Sequence, residues 1–390
     1  MTPMGFESQI QGALAELVAT GLLRKPPRIS GPQGPEVLID GRPVLCLCSN
    51  NYLGLANHPA IAEAIRTSLQ IDGVGSAASR LITGTMDAHQ EAEALFSDYL
   101  GTPAAALFAT GYAANLGTIQ AMLGPGDAVF SDALNHASLI DGCRLSRAQV
   151  HVYKHRSADH LESLLRQNRA RAKRAMIVTD SLFSMDGVTA PLKEIAELAR
   201  SFDAGLMVDE AHALGVLGPD GRGLAAAEGV EPDLIVGTLG KSFGIAGAFV
   251  GASEQTVSLI RNRARSFVYS TAPPPMIARA SIAALNLVRA ADDARTVLLG
   301  HAARLRSELR DLGFEVTEGA SQILPILIGD NDRTMRLSAK LLKRGIFVQG
   351  IRPPTVAAGT ARLRLTPMAT HRPEQIAHAI AAFASLGDAP

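Results

Sequence analysis

Lys241 stands among glycines, in Gly237-Thr238-Leu239-Gly240-Lys241-Ser242-Phe243-Gly244, directly after the apolar run Leu234-Ile235-Val236. A β-branched apolar run followed by glycines is how a buried strand delivers a side chain to the end of a parallel sheet. An amine held there among apolar neighbours is partly desolvated, which favours its neutral, nucleophilic form. Such a lysine can form a Schiff base with an aldehyde cofactor. The triplet Gly240-Lys241-Ser242 does not make a phosphate-binding P-loop, because that motif needs a glycine where Ile235 stands.

A second group lies 32 residues earlier, in Asp209-Glu210-Ala211-His212 after another apolar run. The letters match the DEAH box of helicases, but no P-loop precedes them, and a nucleic-acid motor stays only as the weak alternative class. A pyridoxal phosphate site explains more. Its ring nitrogen needs a carboxylate to stay protonated and act as an electron sink, and Asp209 at a strand end is placed for that. One helix and one further strand separate Asp209 from Lys241, a βαβ unit that brings both side chains to one sheet edge. His212 can then meet the ring oxygen, and His136, after a further predicted strand, can cover the ring. Thr110-Gly111-Tyr112 and Thr238 supply hydroxyls and N–H groups for a phosphate at a helix start. Arg362-Leu363-Arg364 alternates along a strand, so both guanidiniums leave one face and form a fork for a carboxylate. Taken singly, His212 reads as a structural histidine and Asp209 as a capping carboxylate.

These residues require a sheet to carry them. Strands are expected at 105–109, 128–131, 150–153, 176–179, 206–208, 234–236 and 248–250, each a continuous apolar run alternating with helical patterns. Strands buried on both faces imply an α/β fold with a mostly parallel sheet flanked by helices, and such sheets bind ligands at the carboxyl ends of their strands. Residues 7–23 read as an N-terminal helix leading into the basic, proline-containing stretch Arg24-Lys25-Pro26-Pro27-Arg28, followed by short strands at 36–39 and 44–48. The stretch 49–55, polar then apolar, reads as a site wall. Gly73-Val74-Gly75-Ser76-Ala77-Ala78 has dinucleotide-fingerprint spacing but follows a helical segment, not a strand, and is taken as a glycine loop. Long helices over 276–312 and alternating strands at 322–328, 347–351 and 361–366 describe a smaller α+β domain. The expected division is an arm at 1–45, a large domain at 46–280 and a small domain at 281–390.

The chain's 37 basic and 37 acidic residues cancel, leaving no electrostatic footprint for nucleic acid or an anionic membrane. No apolar stretch is long enough to span a bilayer, and Met1-Thr2-Pro3-Met4-Gly5 lacks a signal pattern, so a cytoplasmic protein is expected. Cys46, Cys48 and Cys143 are the only cysteines. Cys46-Leu47-Cys48 has no second pair to complete a zinc site, so buried structural thiols and no metal are expected.

Together these stretches resemble the α-oxoamine synthase family of fold-type I pyridoxal phosphate enzymes. The resemblance is carried by SNNYLGLANHP (49–59), SDALNHASLIDG (131–142), DSLFSMDG (180–187), VDEAHALGVLG (208–218), GTLGKSFG (237–244) and IRPPTVAAGTARLRLTP (351–367), nearly the whole chain. It implies that Lys241 carries the cofactor and later removes the substrate α-proton, with His136 stacked on the ring, Asp209 at its nitrogen and His212 at its oxygen. Ser184 and Thr238 complete the site, and Gly111 and Tyr112 lie near the phosphate. Arg364 with Asn50 takes the amino-acid carboxylate, while Arg24 and Thr355 face the acyl thioester. The family's site lies at a homodimer interface, where Ser270 or Thr271 of the partner subunit reaches the phosphate. IRPPTV, GYAANLG and ARSFVYSTAPPP resemble members that join L-alanine to a pimeloyl thioester, carried on coenzyme A or a carrier protein. Glycine with acetyl-CoA and serine with a long-chain thioester are the alternatives. Asn51, Ala77, Ala213 and Ser242 depart from residues common in the family.

Overall fold

The computed structural model describes residues 5–387. Residues 1–4 and 388–390, the outer ends of the expected segments 1–45 and 281–390, lie outside the described residues. The chain divides into two units, one spanning Asn50–Leu298 and the other made of residues up to Ser49 together with those from Leu299.

The Asn50–Leu298 unit is built on seven strands: β1 (Ala104–Phe108), β2 (Ala128–Asp132), β3 (Gln149–Tyr153), β4 (Ala175–Asp180), β5 (Gly205–Asp209), β6 (Leu234–Thr238) and β7 (Ala248–Ala252). Their spatial order is β1-β7-β6-β5-β4-β2-β3. Only β7 runs antiparallel to its neighbours, so the carboxyl ends of β2, β4, β5 and β6 share one edge. In β1, Leu107 belongs to one apolar cluster and Ala106 and Phe108 to another. Both faces of the sheet are therefore dry, as continuous apolar runs require, except at the edge strand β3, where Tyr153 alone is buried.

Register puts the chemistry in place. Asp180 pairs with Asp209 across β4 and β5, and Asp209 pairs with Val236, so β6 continues past it to Thr238. The chain then turns through Lys241 and is pinned by Phe243. That ring is fully buried, tilted against Phe96 at 5.8 Å and edge-on to Phe249 at 6.0 Å. Burying such a ring is worth about 2–3 kcal/mol, which anchors a turn otherwise rich in glycine. Two of the glycines are required sterically. A Cβ on Gly237 would lie 2.4 Å from the Phe249 ring, and Gly244, at φ +73°, passes so close to Ala56 that a Cβ would meet its N at 2.4 Å.

In the other unit, Ile29–Ser30, Glu36–Ile39, Arg42–Cys46 and Ile346–Phe347 form a four-stranded sheet, and Leu324–Gly329, Ala361–Leu365 and Gln349–Ile351 form a three-stranded antiparallel one. Ala361–Leu365 is its central strand and is buried at every position, Arg362 and Arg364 included, rather than on one face as alternation suggested. The first helix, Phe6–Ala19, buries none of its residues.

The contacts draw the boundaries differently from the expected 45/46 and 280/281. Helix Pro275–Arg289 belongs with the large sheet because Ala278, Ala284, Leu285 and Val288 pack into the cluster of Phe96 and Phe249. The N-terminal arm belongs with the C-terminal segment because Arg352 donates to Gly21 O and Leu23 O, each at 3.0 Å. Among the described residues no helix is long and apolar enough to cross a membrane.

Candidate active site

Four expected site residues converge at the carboxyl edge of the large sheet. Asp209 ends β5 and is 5% exposed; its Oδ1 accepts from Ala211 N at 2.8 Å and its Oδ2 from Asn115 Nδ2 at 2.6 Å. His136 caps helix Ala137–Ser146, its backbone N–H donating to Asp180 Oδ2 at 2.7 Å. Lys241 is close enough for its charge to act on both His136 and Asp180. His212 is buried, with Nδ1 2.7 Å from the hydroxyl of Tyr52, which also reaches Asn50 Oδ1 at 3.2 Å.

Burial holds the His136 imidazole below its ordinary pKa, and the Lys241 charge pushes the same way against the opposing pull of Asp209. Asp180 is held well above the usual carboxylate range, first by burial and then by the Asp209 charge.

The edge fits a ring with a protonated nitrogen and a phosphate arm. Asp209 has an acceptor lone pair to spare on each oxygen beyond its two bonds. Helix Gly111–Met122 opens with Thr110 as its cap, the hydroxyl accepting from Ala113 N at 3.1 Å, and so directs the N–H groups of Gly111 and Tyr112 outward. A Cβ on Gly111 would stand 3.5 Å from Thr238 Oγ1, so the bare glycine leaves a cradle between a helix start and a hydroxyl.

Tyr112 is half exposed, edge-on to His136 at 6.4 Å, and its hydroxyl donates to Asp141. Ser184 lies in the loop after β4, where Phe183 N bonds Val188 O at 2.9 Å. Ser270 and Thr271 follow helix Arg265–Val268; Thr271 is exposed and bridges to Ser79.

The other unit brings together the two residues expected on the thioester side. Arg24 Nη2 donates to Thr355 Oγ1 at 3.1 Å and to Pro353 O at 3.4 Å. They border a groove of about 520 Å³ lined also by Leu23, Pro26, Met335 and Ile351. Arg364 is buried in the centre of its sheet, opposite Pro325 and Gln349. Cys46 and Cys48 are free thiols, and the hydrogen bond between them lowers the Cys46 pKa to about 7 and raises that of Cys48.

Three residues with no assigned role in the sequence reading belong to the site: Asn115, Ser138 and Tyr52. The signal for Asn115 was its place one turn into the helix that starts at the phosphate cradle. Three of the four departures have a visible setting, and at Ala77 it favours the glycine that alanine replaces. Ala77 sits at φ +56°, the left-handed region where glycine is at ease, and the Ser242 hydroxyl donates to Leu214 O at 2.8 Å. The Asn51 Oδ1 accepts from Ala56 N at 3.1 Å.

Residues 42–383 match the family described as aminotransferase class I and II. The chain belongs to that family. Among its members, the chain is 48% identical over 378 residues to an 8-amino-7-oxononanoate synthase of Geobacter metallireducens, covering 96% of each. A serine palmitoyltransferase variant from S. paucimobilis, solved with bound pyridoxal phosphate and myriocin, is 32% identical with a TM-score of 0.93 over 98% of both chains. An 8-amino-7-oxononanoate synthase from Francisella tularensis is 28% identical with a TM-score of 0.76, covering 88% of this chain and 98% of that one. These relatives are α-oxoamine synthases, the branch of the aminotransferase fold that the motifs resemble.

Proposed function

We propose that the chain is a pyridoxal phosphate enzyme that joins L-alanine to a pimeloyl thioester with loss of thiol and carbon dioxide, giving 8-amino-7-oxononanoate for biotin synthesis. The convergence of Lys241, Asp209, His136 and His212 at one strand edge supports this reading, in a chain 48% identical to a named 8-amino-7-oxononanoate synthase over nearly its whole length.

When bound, the cofactor supplies an electron sink for the carbanion at the amino-acid α-carbon. Asp209 would keep a proton on the ring nitrogen and His212 would contact the ring oxygen, with Ser184 completing the cofactor site. Thr238 and the N–H groups of Gly111 and Tyr112 take the phosphate, with Ser270 or Thr271 supplied by a second copy in a homodimer. Lys241 would hold the cofactor and take the substrate α-proton, and His136 would cover the ring. Arg364 with Asn50 takes the alanine carboxylate. Arg24 and Thr355 serve the thioester, and the apolar wall of their groove suits a methylene chain. The carrier is coenzyme A or an acyl carrier protein, and the setting is the cytoplasm.

On the family resemblance, Asn51 favours a second reading, glycine with an acetyl thioester or serine with a long-chain one, because the members resembling those two classes carry asparagine there. Lys241→Ala is expected to abolish turnover and the visible absorption of the purified protein. Wild-type turnover in that variant would overturn the assignment.

A further inference from the structure

Asn115 is 1% exposed, and both protons of its amide are used: Nδ2 donates to Asp209 Oδ2 at 2.6 Å and to Ser138 Oγ at 2.9 Å. A carboxylate only accepts, so the amide must turn its NH₂ toward Asp209, and Oδ1 is left buried without a protein partner. The consequence passes to Ser138. Its hydroxyl oxygen already accepts from Asn115, so its proton is available to His136 Nδ1, 2.7 Å away. The Ser138 backbone N–H points at the same nitrogen at 3.3 Å. A ring nitrogen that receives two donors must offer its lone pair.

We propose that Asn115 and Ser138 are positioning residues that fix His136 as the tautomer with its proton on Nε2 and, through the same amide, hold Asp209. The inference rests on the proposed function only for what the fixed histidine then does. On that reading the two groups assigned to the ring's face and nitrogen are joined by three hydrogen bonds, and the free Nε2–H is a directed donor beside the reacting carbon. Of the remaining groups around His136 only the Asp209 charge opposes, favouring the imidazolium. Asp180 takes its backbone N–H, Lys241 and burial disfavour the imidazolium, Asp209 is engaged by Asn115, and the Tyr112 hydroxyl is turned to Asp141.

The test is nitrogen NMR of the full chain, stripped of cofactor and labelled in histidine, with His136→Gln identifying the signal. The wild type is expected to show His136 protonated at Nε2 and bare at Nδ1 at neutral pH. In Ser138→Ala the two nitrogens should move toward averaged shifts, and Ser138→Thr, which keeps the hydroxyl, should restore them. In the cofactor-loaded enzyme, Ser138→Ala should lower kcat by about tenfold, a modest share of what a positioned acid–base group contributes. Losing a donor to Nδ1 stabilises the imidazolium, so the acid limb of the kcat/KM profile should move to higher pH. A wild-type signal protonated at Nδ1, or a His136 signal unchanged in Ser138→Ala, would overturn the relay. Because the NMR is read without cofactor or substrate, an enzyme that fails to condense alanine leaves that result standing. Normal condensation with the wrong tautomer removes the relay alone.

Discussion

Replacing Asp209 by asparagine separates a chemical role from a structural one. Each Asp209 oxygen accepts one buried hydrogen bond, from Ala211 N and from Asn115 Nδ2. Asparagine has one oxygen and one NH₂, so with Asn115 oriented as it is one of those donors faces another donor, and turning Asn115 to relieve this takes its NH₂ away from Ser138. A buried hydrogen bond lost in this way costs about 1–3 kcal/mol. Against a typical folding stability of about 5–15 kcal/mol, that leaves nearly all of the chain folded. A purely structural Asp209 would therefore leave kcat close to wild type. If Asp209 holds the proton on the ring nitrogen, the variant also loses the charge that makes the ring an electron sink. Loss of one aligned electrostatic partner costs about 100- to 1000-fold in kcat. The assay is turnover of saturated, folded Asp209→Asn, with urea denaturation run in parallel. A variant destabilised by about 1–3 kcal/mol with kcat within threefold of wild type would refute the reasoning.

Two further outcomes follow from the other unit. Arg24→Ala, which removes the guanidinium bonded to Thr355, is expected to raise KM for the thioester roughly tenfold, the effect of one charged hydrogen bond, with little change in KM for the amino acid; an effect on the amino acid alone would place Arg24 elsewhere. His371, 3% exposed, has its pKa lowered to about 4 by burial, with the charge of His301 adding to it. Between the unfolded histidine value and that folded one, the unfolded chain binds one more proton, so stability is full above about pH 6.5 and falls as the pH drops toward 4, by up to about 3 kcal/mol. Urea titrations across that range should show the loss shrinking in His371→Asn; an undiminished loss would contradict it.

The sheet was legible because parallel buried strands advertise themselves as continuous apolar runs, and all seven were found within a residue or two of their ends. That Asp209 and Lys241 follow adjacent parallel strands was legible because a single βαβ unit separates them. Asn115 was not, since its partners, Asp209 and Ser138, lie 94 and 23 residues away and its neighbours Ala113, Ala114 and Leu116 look like ordinary core. The edge of the large unit was misplaced for a similar reason. An alanine-rich helix such as Pro275–Arg289 reads the same whichever core it joins, and only its packing against helices Pro59–Ile71 and Asp87–Leu100 decides. The meeting of Arg24 with Thr355, 331 residues apart, came from family resemblance rather than from any local pattern.

The most direct test of the central claim is thiol release by the purified, cofactor-loaded protein, with pimeloyl thioester plus L-alanine run beside acetyl-CoA plus glycine. Faster release with the first pair, giving a decarboxylated amino ketone, is the predicted result. Preference for the second pair would contradict the account and make the chain a glycine acetyltransferase built on the same site.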